Sequence, residues 1–184
     1  MKIVNRSILA LAVTGAAVAP AAATHAKPAV KVTGEQTVVT LNGPAAKVLT
    51  SHGVAVSAVA PATLSGSSVT FPVKGGLVNK KLTRGVVRHL GAVAFTKGSR
   101  IVTVRRPVAV VTKRTAFLAV HFRHRLVRVF NLTGLKKTTT GTTTTITGQL
   151  RVTRRLAKQL NRRLGTSVRR GAVAGSATTT LTTA

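Results

Sequence analysis

Along most of this chain apolar and polar residues alternate one by one, a period that suits a β-strand with one buried face. In residues 68–73, Val69, Phe71 and Val73 share a face. In residues 115–122 the same holds for Ala116, Leu118, Val120 and Phe122. Further on, Ile146, Gly148, Leu150 and Val152 stand opposite Thr147, Gln149 and Arg151. Val, Thr and Ile dominate these runs, as residues that pack well on a pleated surface. Gly75-Gly76, Lys97-Gly98 and Thr140-Gly141 punctuate them as turns. The threonine run 138–145, broken only by Gly141, predicts a hairpin loop entering a strand, and residues 178–184 predict a closing edge strand.

Two short segments change period. Residues 44–51 predict a first helix, with Asn42 or Gly43 as its cap, Pro44 at its first position and Gly53 to end it. The second is clearer. Thr153 is an N-cap candidate, Leu156, Leu160 and Leu164 fall at four-residue spacing, and Gly165 closes the helix. Together the elements predict an all-β chain: a β-sandwich of mostly antiparallel strands with two short helices.

The charges bound the chemistry. Lys and Arg number 29 against a single acidic residue, Glu35, and cysteine is absent from the 184 residues. No disulfide, thiolate zinc site or cysteine nucleophile can be built. A glycosidase needs two carboxylates, and calcium or magnesium sites draw mainly on carboxylate oxygens. A serine triad oriented by Asp is impossible, and no S-x-x-K stands in the sequence. The composition therefore predicts a protein that binds and is not an enzyme.

The N-terminus predicts export. Lys2 and Arg6 precede an apolar stretch over residues 7–18, too short to span a bilayer, and small residues follow. Residues 1–26 read as a signal peptide cleaved after Ala26, residues 27–35 as a flexible segment, and residues 36–184 as one β-rich domain. No transmembrane segment is expected after cleavage, and the location is secreted or cell-envelope associated.

Such a chain must seek anions. Its basic clusters are Lys80-Lys81, Arg105-Arg106, Lys113-Arg114, Arg123 to Arg128, Lys136-Lys137, Arg151 to Arg163 and Arg169-Arg170. They are spread along the sequence and suit anionic cell-wall polymers or other polyanions. Arg154, Arg155, Lys158, Arg162 and Arg163 crowd the second helix, either as a solvated face or as a polyanion-binding one. Specific nucleic-acid recognition is not expected, because five Phe and no Trp or Tyr make no stacking platform.

Among the histidines, His89 shares strand parity with Val87, Val93 and Phe95, which places an imidazole on an apolar face. Two roles fit: a core histidine bonded to a backbone carbonyl, or a wall of a ligand pocket. His121 and His124 sit three apart, so on one strand they point to opposite faces and cannot chelate one metal. His52 falls where a cation favours the C-terminal dipole of the first helix.

Four patches, taken in order, resemble the HtaA-type domain of exported haem-uptake and cell-surface proteins. Residues 41–59 look like the family's strand, short Ala-rich helix and G-V-x-V-x-x-V strand. Phe71-Pro72-Val73-Lys74-Gly75-Gly76 is similar to its F-P-I-x-G-G segment. Residues 85–93, with His89, resemble its H-x-G-G-L strand, from which Leu90 and Ala92 depart. Ala157, Leu160-Asn161, Leu164-Gly165 and residues 171–178 look like its closing helix and strand. The resemblance spans about residues 36–182. It implies a β-sandwich and haem as ligand, with His89 in the haem pocket. The family's tyrosine iron ligand has no counterpart, since the chain contains no Tyr. The alternative function is a structural or adhesion protein held to the cell envelope by charge.

Overall fold

The computed structural model describes residues 29–122 and 125–183. The predicted signal peptide, Arg123 and His124 lie outside them. Twelve strands and two helices follow in the order β1 (Ala29–Leu41), α1 (Gly43–Ser51), β2 (Ala55–Val59), β3 (Thr63–Ser65), β4 (Ser68–Asn79), β5 (Gly85–His89), β6 (Ala92–Lys97), β7 (Arg100–Arg105), β8 (Val108–Val111), β9 (Ala116–Phe122), β10 (Arg125–Thr140), β11 (Thr143–Val152), α2 (Arg154–Leu164) and β12 (Val173–Thr183).

The expected sandwich is instead a closed barrel. Eight antiparallel strands run β1-β12-β11-β10-β9-β8-β5-β4, and β4 pairs back onto β1, with β3 added outside on β4. What closes the ring is the length of β1, which pairs with β12 from Val32 to Leu41 and with β4 over nearly the same stretch. A bulge between Gly34 and Gln36 lets it bend that far. Residues 29–35, within the segment expected to be flexible, begin β1, with Ala29–Val32 paired to β4 and Val32–Gly34 to β12. The C-terminal run is likewise no edge, because β12 lies between β1 and β11. Gly75-Gly76 is not a turn either. It lies within β4, where the register shifts between Val73 and Gly75.

Three further strands form a small sheet, β2-β6-β7. Its Val93, Phe95 and Val104 share one buried cluster with Leu49, Leu156, Leu160 and Leu164 of the helices and with barrel residues such as Phe71, Leu118 and Phe130. Val32, Val78, Val87 and Leu181 make a second cluster around the other ends of the same barrel strands. Burying one such side chain contributes about 1.5–3 kcal/mol. Since Glu35 is the only acidic side chain, these clusters and the ladder hydrogen bonds, far more than ion pairs, hold the fold.

Both helices are fixed by local chemistry. Asn42 caps α1 by accepting from the Ala45 amide at 2.9 Å, and its Nδ2 donates to the Val173 carbonyl at 3.0 Å. The Thr153 hydroxyl caps α2 through the Leu156 amide, while Gly165 ends it in the left-handed region at φ 67°.

Candidate ligand site

His89 ends β5 with its ring inside the barrel, between the two apolar clusters, and is only 2% exposed. Its Nδ1 lies 2.8 Å from the Pro107 carbonyl, which can only accept, so Nδ1 carries the proton. In the neutral ring Nε2 then accepts from the Thr37 hydroxyl at 2.7 Å, and Thr37 in turn accepts from Thr179 at 2.8 Å. A single polar chain thereby links β5, β1 and β12 through an apolar interior. Burial pushes the His89 pKa below the ordinary histidine value, and the Pro107 hydrogen bond offsets only part of that.

Beside the imidazole is a narrow slot of about 40 Å³, walled by Val39, Phe71, Phe95, Leu118 and Phe130 among others. It holds little more than one water molecule. A larger groove of about 310 Å³ lies between the helices. Ala45 and Val48 of α1 form one wall, Leu156 and Leu160 of α2 another, and Val168 and Arg169 the mouth. Leu41, Phe95 and Phe130 line both slot and groove and form the wall between them. A mostly apolar groove of this size, with one cation at its mouth, has the proportions of a small-molecule site.

The loop that forms the mouth is tied to α2 by Asn161. Its Nδ2 donates to the Val168 carbonyl at 3.0 Å, and its Oδ1 accepts from the Val168 amide at 2.9 Å and the Thr166 hydroxyl at 2.8 Å.

The basic residues of α2 occupy two rows. Arg155 and Arg163, with Gln159 between them, line a groove against β7, β9 and β10. Arg154, Lys158 and Arg162 form the next four-residue row, exposed and lining neither groove. No one pocket gathers all five. Among the described residues no group of three His, Cys, Asp or Glu could hold an ion. His121 is exposed at the end of β9, and His52 caps α1, its Nδ1 donating to the Val48 carbonyl at 2.8 Å.

No protein-family model matches this sequence, and a search of curated proteins finds no match. Solved structures do match. The C-terminal domain of HtaA from Corynebacterium glutamicum superposes with a TM-score of 0.61 at 10% identity, covering 83% of this chain and 99% of that domain. The haem-binding protein HtaB of the same organism gives 0.60 at 13% identity, over 85% and 96%. A domain-swapped dimer of a histidine-to-alanine variant of the HtaA domain gives 0.53 at 11% identity, over 77% and 93%. The chain has the HtaA-type fold. Strand parity puts His89 on an apolar face, and in this fold the residue is buried. The groove-forming roles of Phe95, Phe130 and Asn161 carried no signal in the sequence beyond an apolar face and a helix-end asparagine.

Proposed function

We propose that this HtaA-type domain is an exported binding protein whose ligand is haem, held in the groove between α1 and α2. The observation that carries the reading is the wall shared by the two cavities. Leu41, Phe95 and Phe130 line both the apolar groove and the slot that holds the imidazole of His89, so these side chains stand between the two. The likeness in fold to HtaB, a haem-binding protein, supports it. The macrocycle belongs in the groove, because the slot is too small for it. Arg169, which lines the groove, would offer a cation to a propionate, and an imidazole is a competent iron ligand. His89 would offer Nε2 as the iron ligand, a nitrogen that Thr37 hydrogen-bonds in this structure. Nothing in this reading requires turnover; the domain holds its ligand.

The groove is tested by filling it. Ala45→Trp places an indole between the helices, and haem affinity is expected to fall at least ten-fold. Unchanged affinity in the folded variant would remove the groove from the account.

A second reading concerns the outer row of α2. Glu35 supplies the only acidic side chain, so Arg154, Lys158 and Arg162 have almost nothing within the chain to pair with. We infer that this exposed row, rather than all five cations of α2, contacts anionic wall polymers and retains the protein at the cell envelope. Retention on isolated cell walls should then fall log-linearly with salt, and charge-neutral substitution of the three should flatten the slope. Salt-insensitive retention would reject it. Among the described residues no helix is long and apolar enough to cross a membrane.

A further inference from the structure

The second groove, between α2 and the edge of the small sheet, has no part in the haem reading. It also measures about 310 Å³ and lies on the far side of Leu156, which lines both grooves. Its floor is Val120 and Val127, paired across β9 and β10. Two large apolar side chains stand at its rim with unusual exposure, Ile101 at 57% and Phe122 at 56%. Along the opposite rim run Arg155 and Arg163, two turns of α2 apart.

Each half of this arrangement excludes a class of ligand. An apolar floor with protruding Ile and Phe gives nothing to an inorganic anion or a sugar phosphate. A rim of two guanidiniums repels cationic amphiphiles and favours an anionic head over a neutral one, which Arg155, Arg163, Gln159 or Thr103 could only hydrogen-bond. What satisfies both halves is a hydrocarbon chain ending in an anionic head, with the chain on the valines and the head between the arginines.

We propose that this groove is a second binding site, for a monomeric single-chain acyl anion such as a fatty carboxylate. It does not depend on haem or on His89. The chain is needed for affinity, because each buried methylene raises it about four-fold. The head group is needed for orientation.

A cationic protein attracts any anion, so the test must separate charge from chain. The full domain, with labelled valine and isoleucine methyl groups, is titrated with decanoate, butanoate and decanol at physiological salt. Decanoate is expected to shift the methyl signals of Ile101, Val120 and Val127 and to bind at least ten-fold more tightly than either control. The double variant Arg155→Gln with Arg163→Gln should lower decanoate affinity at least ten-fold and leave decanol unchanged. Lys80→Gln with Lys81→Gln should alter neither. Equal binding of butanoate would reduce the site to surface charge, and equal binding of decanol would remove the arginines from it. Shifts confined to Val48 and Val168 would move the ligand to the other groove. Binding seen only with phosphatidylglycerol vesicles would make the patch a membrane contact. Any of these four results overturns the proposal. Haem titration of the same samples keeps the two sites apart, since loss of haem binding with decanoate binding intact rejects only the haem reading.

Discussion

Thr37 and His89, 52 residues apart, meet inside the barrel through a 2.7 Å hydrogen bond. With Pro107 on the other nitrogen, this bond satisfies an imidazole that apolar surroundings would otherwise make costly. Replacing Thr37 by valine keeps the shape and leaves Nε2 unpaired. The variant should lose about 1–3 kcal/mol, read from urea unfolding. A loss below about 0.5 kcal/mol would mean that the hydroxyl contributes nothing.

Stability should also depend on pH in a definite direction. Burial lowers the pKa of His89 in the folded state, so the unfolded chain binds the proton first. The contribution is fully present above about pH 6.5, the ordinary histidine value, and is lost as pH falls from there toward the folded pKa. The urea midpoint should therefore drop between pH 7.5 and pH 5, with a shallower drop in His89→Gln. An identical pH profile in that variant would clear His89 of the effect.

Gly76 separates close approach from turn geometry. A Cβ at this position would run into the Val86 carbonyl oxygen of the neighbouring strand. Gly76→Ala should cost on the order of 3 kcal/mol or more, because backbone must shift to admit it. At Gly141 a Cβ meets nothing within 4 Å, but φ is 58°. Gly141→Ala should cost only about 1 kcal/mol, the penalty of the left-handed conformation. Comparable costs for the two would contradict the distinction.

Asn161 should matter more than its place at a helix end suggests. Asn161→Ala removes three hydrogen bonds to the segment that carries Val168. A loss of about 2–3 kcal/mol is expected, together with faster amide exchange at Val168. Unaltered exchange there would show that the loop holds itself.

These contrasts mark what the sequence makes legible. The second helix is recovered almost residue by residue, because its leucine row, Thr153 cap and Gly165 stop are all local signals. Barrel closure is not. Period two is the same in a sandwich and a barrel, and the deciding pairs, such as Val32 with Thr183, join opposite ends of the chain. Gly34-Glu35-Gln36 breaks the alternation and so mimics a flexible lead-in, although it is a bulge. Gly75-Gly76 mimics a turn for a similar reason, since glycine serves turns, bulges and close approaches alike. At the site, strand parity sends His89 inward, but its partners come from β1 and the segment before β8. No local pattern announces them.

The reading of the domain as a haem-binding protein is tested most directly by haem titration of the folded chain, followed at the Soret band, with and without His89→Gln. A one-to-one complex with a shifted Soret band is predicted for the natural sequence, and loss of that shift in a variant that stays monomeric and folded. The same band position and affinity in both proteins would contradict iron coordination by the buried imidazole.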